Sequence, residues 1–160
     1  MAKLIQFKDN HGNVYPKIQR QICMIYPSGR PHLNQTTSWV NVVIPMDSAV
    51  IVGTKLVRNG NGILIGSGVS KIKISGIVCL WNINGWQTNS SIAINDSIVG
   101  FAVDYSTARN QISLGVPEKI YNVKQGDLIT LKAGLEGNTG QFDVLGDVGN
   151  GTWLTVEVIE

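Results

Sequence analysis

The chain has 160 residues, of which 43% are hydrophobic and 15% charged, and its formal net charge at pH 7 is +2. Since about 25% of the residues in a soluble domain are usually charged, this surface is either unusually neutral or partly covered by partners. The small net charge argues against nucleic-acid binding, and no apolar stretch approaches the ~20 residues of a membrane helix. Two cysteines are too few for a disulfide framework.

Residues 1–35 are predicted to form an extended N-terminal arm. One short strand, KLIQF at 3–7, is followed by turn-rich chain in which Pro16, Pro27 and Pro31 interrupt any regular element. The arm carries some apolar side chains but too few for a core of its own. We therefore expect it to pack against another surface.

Residues 36–160 are predicted to form an all-β domain. Short runs rich in Val and Ile alternate with Gly and Asn, which is the pattern of strands and turns. NGNG at 59–62 and ND at 95–96 favour tight hairpins. About eight to ten strands fit a two-sheet sandwich or jelly roll. The predicted strands span residues 38–44, 49–57, 62–66, 70–81, 90–95, 97–106, 119–123, 127–135, 140–146 and 152–159.

No catalytic constellation is identifiable. Both histidines, His11 and His32, lie in the arm, whereas a Ser/His/Asp or Cys/His set would need one of them in a pocket. A polysaccharide hydrolase would need two carboxylates across a cleft, and no such pair stands out. Asp143 and Asp147 flank a glycine-containing loop, but they lack the clustered ligands of a calcium loop. We expect no enzymatic activity, no metal and no cofactor.

The segment LWNINGWQTNSS at 80–91 is predicted to form a long loop that binds saccharide. Aromatic faces stack on sugar rings, and amide groups form hydrogen bonds with sugar hydroxyls. In the alternative interpretation, Trp81 ends a strand inside the core and Trp86 closes the loop onto the sandwich. The candidate contacts, including two residues of the following loop, are Asn82, Asn84, Trp86, Gln87, Asn89, Tyr105 and Arg109.

Four segments carry a resemblance to a known fold family. They are GILIGSGVSKIKISGIVCLW, SIAINDSIVGFAVDY, GDLITL and the ending GTWLTVEVIE, in that order. This order resembles the C1q/tumour-necrosis-factor-like jelly roll, and the likeness covers about the last hundred residues. The resemblance implies a homotrimeric jelly-roll β-sandwich head over 36–160, carried on the N-terminal arm.

The last strand has a specific place in that family, in the inner sheet beside the threefold axis. Alternation along GTWLTVEVIE has the period of a half-buried strand. By resemblance, Leu154, Val156 and Val158 would face the domain's own core. A shared interface would also account for the low charge. The residues expected to face neighbouring subunits are Trp153, Thr155 and Ile159.

The beginning of the chain, LIQFKDNHGNVYPK at 4–17, is similar to the opening of tail-fibre and receptor-binding proteins from phages of Gram-positive bacteria. In those proteins a QFKD-x-x-GN-x-YP segment precedes a trimeric distal domain. The combination implies a virion component that adheres to host cell-wall saccharide and docks onto other virion proteins through its arm. The alternative is a baseplate, neck or head-fibre module without receptor binding. Because MAKLIQFKDNHGN lacks a secretory signal core, we expect synthesis in the host cytoplasm and location in the virion.

Overall fold

The computed structural model of the protein describes residues 6–8, 10–11, 14–16, 20–37, 40–83, 86–105, 109–136, 139–146 and 151–160. All regular elements in these ranges are strands, so the predicted all-β class is confirmed. Across the same ranges, no helix is long and apolar enough to cross a membrane.

The strands are numbered in chain order. They are β1 Gln6–Lys8, β2 Val14–Pro16, β3 Ile22–Tyr26, β4 His32–Gln35, β5 Val42–Val43, β6 Ser48–Val52, β7 Leu56–Asn59, β8 Gly62–Ile65, β9 Lys71–Trp81, β10 Thr88–Ile94, β11 Ser97–Asp104, β12 Gln111–Asn122, β13 Leu128–Leu135, β14 Gly140–Val144 and β15 Trp153–Val158.

Two antiparallel sheets form a jelly-roll sandwich. The smaller sheet has the order β11-β10-β13-β8-β7, and β5 pairs with β13 beside β8. The larger sheet runs β12-β9-β15-β3-β6, and β14 pairs with the far end of β9 and carries β4 at its other edge. The strands β1 and β2 pair only with each other. Apart from the hairpins β7–β8 and β10–β11, adjacent strands in the two sheets are not consecutive in the sequence, as in a jelly roll.

The core lies between the two sheets and follows the alternation of the strands. In β9, Ile72, Ile74 and Val78 are fully buried, and in β15 the same holds for Leu154 and Val156. Burying one such side chain contributes roughly 1.5–3 kcal/mol. The predicted inward face of the last strand is therefore confirmed for these two residues, and Val158 packs partly buried against the same core.

Both predicted hairpin turns are present. Gly60 has a positive φ of 57° between β7 and β8. Asn95 and Asp96, with φ of 48° and 65°, connect β10 to β11. Two successive residues of positive φ match the twist of antiparallel strands, and Asn and Asp tolerate that conformation.

The prediction of an extended arm over 1–35 is wrong for its second half. β3 pairs with β15 on one side and with β6 on the other, and β4 pairs with β14. Cys23 and Ile25 face the core and are completely buried. The prolines at 27 and 31 lie between β3 and β4, where a turn needs no ladder hydrogen bond from them. The attachment role of the preceding segment stays a prediction.

Three strand predictions differ clearly in extent from the structure. In the described part of the run 38–44, the strand β5 contains only Val42–Val43. The run 49–57 divides into β6 and β7, because Gly53 between them has a positive φ of 94°. The run 119–123 is only the end of β12, which begins at Gln111 and crosses a register shift between Val116 and Lys119. Pro117 lies in that shift, and proline is tolerated in a strand where the ladder is interrupted.

Candidate functional site

Two rows of side chains cross the outer face of the smaller sheet, the face that points away from the core. In the first row, Asn89 of β10 lies opposite Gly134 on β13 and Val103 on β11. In the second, Ser91 lies opposite Lys132 and Phe101. Residues opposite each other in a ladder point to the same face of the sheet. Ile92, which alternates with them, is in the core, so both rows face outward.

A glycine in the middle of the first row leaves room for two neighbouring side chains over the sheet. Val43 and Val42 pair with Lys132 and Ala133, which places Asn41 beside Gly134 at the next step. A Cβ on Gly134 would lie 2.5 Å from Oδ1 of Asn41 and 2.7 Å from Oε1 of Gln35. A side chain cannot be added at Gly134 unless these groups move.

The first row borders a concave site that we call the outer cleft. It has a volume of about 310 Å³. Its polar floor consists of Asn41, Asn89, Ser91 and Glu136, and its wall is an apolar and aromatic strip of β11 and the residue after it, namely Ile98, Phe101, Val103 and Tyr105. An apolar lining with a few convergent polar groups is typical of small-molecule sites.

The hydrogen bonds of the floor leave acceptors unused. Nδ2 of Asn41 donates to Oγ of Ser91 at 2.9 Å, and Nδ2 of Asn89 donates to Oε1 of Glu136. Among the described residues, the Oδ1 atoms of both asparagines are buried without a hydrogen-bond partner. Because buried polar atoms normally have a partner, these two oxygens are unusual features of the floor.

The charge of the floor is negative. Glu136 is largely buried in it. Lys132 stands on the same face, but its Nζ donates to Oδ1 of Asp96 at 2.9 Å. Arg109, beyond the wall, lies 3.5 Å from Oδ2 of Asp104, measured from its Nη1. Among the described residues, Lys132 and Arg109 are therefore paired with Asp96 and Asp104.

The structure brings two of the seven predicted saccharide contacts together in this cleft. Asn89 lies on the floor and Tyr105 on the wall, whereas Arg109 pairs with Asp104 outside the lining. The predicted long loop is shorter than expected, because Thr88–Ser91 belong to β10 and are buried between β11 and β13. Asn84 lies outside the described residues.

The remaining predicted contacts lie in the loop before β10. Asn82 has a positive φ of 59°, and the Trp86 amide donates to the carbonyl of Ile83 at 2.9 Å. The Trp86 side chain is 37% exposed. The carbonyl of Gln87 accepts from the Glu136 amide at 2.8 Å, which ties this loop to the end of the outer cleft. These three residues do not line the cleft.

The alternative interpretation is confirmed in that Trp81 ends a strand, β9, and is wrong in placing it inside the core. Its ring is 38% exposed and lies under the guanidinium of Arg30, 4.7 Å from the ring centroid. Arg30 also lies 3.4 Å from Asp143, between Nε and Oδ2, and the same carboxylate forms a hydrogen bond with Nδ1 of His32. This hydrogen bond is the main reason why the pKa of His32 is raised.

The expected absence of calcium stays a prediction. Asp143 is engaged by Arg30 and His32, and Asp147 lies outside the described residues. In the part of the chain that the structure describes, no group of three His, Cys, Asp or Glu residues could hold a metal ion.

The outer face of the larger sheet is the second candidate surface, and we call it the large-sheet face. Thr155 lies between Met24 and Ser75 in the ladder, and Trp153 lies opposite Ile77. Trp153 and Thr155 are half-buried, and their alternation with the core residues matches the predicted outward direction. Ile159 follows β15 and is 46% exposed. Contact of these residues with a neighbouring subunit stays a prediction.

Ion pairs occupy one end of the large-sheet face. Glu157 lies 3.4 Å from Arg20 and 3.0 Å from Nζ of Lys73, and Lys73 lies 3.5 Å from Glu118. The hydrogen bond to Glu157 is the main reason why the pKa of Lys73 is raised. Beside this network the face is apolar, with exposed valines at 50 and 52 on β6.

Sequence reasoning missed most of the lining of the outer cleft. Asn41, Ser91, Ile98, Phe101, Val103 and Glu136 were not among the candidates. One signal was available: SIVGFAVDY is apolar at outward as well as inward positions, although a strand at the edge of a solvated sheet usually has a polar outer face. The pairing of Asn41 and Glu136 with this strip depends on the fold.

Comparisons with known proteins show the fold and no closer relationship. No protein-family model matches the chain, and no curated protein sequence matches it. The crystal structure of murine APRIL at pH 5.0 superimposes with a TM-score of 0.67 at 12% identity, covering 88% of this chain and 100% of that one. Eiger TNF from S. frugiperda gives 0.62 at 8% identity, covering 89% and 94%. The chain has a TNF-like jelly-roll fold, as predicted.

Proposed function

We propose that this chain is a non-enzymatic, homotrimeric receptor-binding head of a phage virion that adheres to saccharide on the host cell surface. The outer cleft is the observation that carries the proposal. It joins buried amide and carboxylate oxygens to an aromatic wall, which is the combination that sugar recognition uses.

The exposure of the wall supports a ligand in the cleft. Phe101 is 67% exposed and Tyr105 is 68% exposed, although both are large aromatic residues. Exposed apolar patches beside polar groups mark interaction sites. A pyranose has an apolar C–H face that would cover these rings and a hydroxyl edge that would meet the floor.

The large-sheet face supports the trimer. It combines half-buried Trp153 and Met24 with exposed valines on β6, and among the described residues the Oγ1 of Thr155 is buried without a hydrogen-bond partner. Interfaces of homo-oligomers are more apolar than ordinary surface. Three clefts on one head would multiply a weak affinity for single sugars, and several heads on one particle would multiply it again.

The beginning of the chain supports the location in a virion. The QFKD-x-x-GN-x-YP pattern contains the strands β1 and β2, which pair with each other and with neither sheet. We propose that this segment binds other tail or virion proteins and that the jelly roll is the distal part.

Two measurements on the full chain test the proposal. Light scattering should give a mass of three chains of 17.3 kDa each, or 51.9 kDa. The purified protein should also sediment with cell walls from at least one member of a panel of Gram-positive bacteria. Phe101→Ala should weaken this adhesion, whereas Val57→Ala, at an exposed position of β7 outside the cleft lining, should leave it unchanged.

The outcomes separate the candidate functions. A trimer that adheres to no wall of the panel would favour the alternative of a baseplate, neck or head-fibre module that only holds virion proteins together. Release of reducing sugar from the walls would contradict the non-enzymatic proposal. A 17.3 kDa monomer would contradict the trimeric head.

A further inference from the structure

We infer that the outer cleft is a trough for a stretch of linear polysaccharide several sugar rings long, and not a pocket for a single terminal sugar. This inference rests on the proposed function, because it names the form of saccharide that the head would recognise. It follows from the way in which the apolar wall and the polar floor of the cleft are arranged along the smaller sheet.

The wall and the floor of the cleft repeat together along the strands. Phe101 lies opposite Ser91 in the ladder, and Val103 lies opposite Asn89. Each of these two rows therefore joins one apolar side chain of the wall to one polar side chain of the floor. Successive rows are about 7 Å apart, because every second residue of a strand points to the same face.

A third pair of wall and floor residues follows at one end of the cleft. Asp104 and Leu135 lie on either side of Thr88 in the ladder. The residues that follow them directly in the chain, Tyr105 and Glu136, both line the cleft. The combination of an apolar wall residue with a polar floor residue thus occurs three times. A lining that repeats is suited to a ligand whose ring faces and hydroxyl edges also repeat, as they do in a linear polysaccharide.

A β-bulge adds a fourth residue to the wall at the other end. Gly100 lies opposite Ile92 and Ile98 lies opposite Ala93, so Val99 is the extra residue of β11. Regular alternation would turn Ile98 toward the core, whereas the bulge leaves it on the outer face, where it is exposed and lines the cleft. Bulges that redirect a side chain in this way are frequent beside functional sites.

The dimensions of the cleft are those of a long and shallow trough. Its wall runs from Ile98 to Tyr105, about 20 Å at ~3.3 Å per residue, whereas a sphere with the cleft's volume of about 310 Å³ would be only about 8 Å across. The free volume is therefore spread along the strand. Ile98, Phe101 and Tyr105 are each more than half exposed. One ring stacked on Phe101 would leave both ends of the wall uncovered, and a chain of several rings would cover all three side chains.

The backbone edge of β11 is less available to a partner than its outer face. β11 is the last strand of the smaller sheet, but the Tyr121 hydroxyl from β12 donates to the carbonyl of Val99 at 3.0 Å. One acceptor on this edge is therefore already used. A peptide that adds a strand needs the backbone edge, whereas a saccharide needs the apolar side chains and the polar floor. The outer face therefore favours the saccharide.

Saccharide fragments of increasing length test the inference on the intact protein. The probes are fragments released from a cell wall to which the protein adheres, purified in sizes from a single sugar to about six units. Titration calorimetry gives the dissociation constant of each. This constant should fall at least about tenfold from the single sugar to the fragments that span the trough, and then change little with further length.

Variants at the two ends of the trough locate the contacts. Ile98→Ala and Tyr105→Ala should each weaken binding of the long fragments about fivefold, because each removes an apolar surface at one end. Binding of the single sugar should change by less than about twofold, since one ring does not reach both ends. Val57→Ala, at an exposed position of β7 outside the cleft lining, is the control and should change neither. If an end variant does not fold, the length series on the unsubstituted protein decides.

Three results would overturn the inference. The first is an equal dissociation constant for the single sugar and the long fragments, and the second is an end variant that binds the long fragments as tightly as the unsubstituted protein. The third is a loss of the trimer in Ile98→Ala or Tyr105→Ala, measured by light scattering, because a neighbouring subunit would then cover the strip.

These results are distinguishable from failure of the proposed function. Adhesion to a cell wall without any dependence on fragment length would refute only the trough and leave the saccharide-binding head. Absence of adhesion to every cell wall of the panel would refute the proposed function itself, together with the inference that rests on it.

Discussion

The two sheets present very different outer faces to their surroundings. On the large-sheet face, the middle of the central row is filled, because Thr155 stands between Met24 and Ser75. On the smaller sheet the corresponding place is Gly134, where the side chains of Asn41 and Gln35 lie over the backbone. The outer cleft lies beside Asn41, between the polar floor and the aromatic wall. A filled and partly apolar face can meet another flat face, whereas a cleft can be filled by a small molecule or a protruding group.

A few side chains are thus enough to adapt the two outer faces of one fold to two different tasks. Both faces contain buried oxygen atoms without a partner among the described residues, on Thr155 in one case and on Asn41 and Asn89 in the other. Buried polar atoms usually have a partner, so these three oxygens are unusual points of the two faces. We expect a neighbouring subunit to cover the large-sheet face and a ligand to fill the cleft.

We expect the largest effect from a substitution that disrupts the large-sheet face. Thr155→Arg would place a charged side chain in the middle of the proposed interface, where burying an unpaired charge is very unfavourable. Light scattering should show a fall from 51.9 kDa to the 17.3 kDa of one chain. Val57→Arg, at an exposed position on β7 of the smaller sheet, is the control and should remain trimeric. An intact trimer of Thr155→Arg would mean that another face forms the interface.

The second prediction concerns Gln35, whose side chain joins the two sheets. Its Oε1 accepts from the Leu135 amide at 2.6 Å, and its Nε2 donates to the Leu135 carbonyl at 2.9 Å, so β4 of the larger sheet is joined to the end of β13. Gln35→Ala should lower the free energy of unfolding by about 3 kcal/mol, because each buried group left unpaired costs about 1–3 kcal/mol. Urea unfolding measures this. The exposed neighbour Asn34, replaced by Ala, should change it little.

The third prediction concerns the close approach of Asn41 to Gly134. Gly134→Ala would bring a Cβ within 2.5 Å of Asn41 and should lower the free energy of unfolding by about 2 kcal/mol, within the usual cost of overpacking. Because Asn41 also lines the outer cleft, its displacement should weaken adhesion to the cell walls. Gly115→Ala is a matched control on β12, since its Cβ would meet Ile77 at an ordinary 3.6 Å. Equal stability of the two variants would contradict the close approach at Gly134.

The smallest expected effect is a pH dependence at His32. Because the hydrogen bond to Asp143 raises the pKa of His32 above its ordinary value of 6.5, its protonated form is favoured in the folded chain. This contribution to stability is complete below 6.5 and is lost as the pH rises through the higher folded pKa. The melting temperature of the unsubstituted protein should exceed that of His32→Gln by more at about pH 5.5 than at about pH 8.5. A difference in melting temperature that grows with pH would contradict this prediction.

Strong alternation made much of the fold predictable. SKIKISGIVCLW predicts a strand over 70–81, and β9 spans Lys71–Trp81. The period of two is local, so it survives whatever the neighbouring strands are. ICMIY in β3 alternates as well, but the flanking prolines and the small number of apolar residues hid its place between β15 and β6.

The candidate site was less predictable, because polar residues in a strand resemble a loop. TNSS at 88–91 has the composition of a loop, yet it is buried in β10 because β11 and β13 cover both of its edges. Asn89 and Tyr105 were found by residue type alone. Glu136, the charged group of the floor, belongs to the end of another strand and carries no local signal.

The sequence by itself determined the all-β class, the hairpin turns and the alternation that places Leu154 and Val156 in the core, because these depend on neighbours along the chain. The tertiary structure alone decided that Asn41, Gly134 and Asn89 form one row. These three residues come from separate strands and loops, and only the register of the smaller sheet brings them together. The polar floor of the outer cleft follows from that register, since no segment of the chain contains more than part of it.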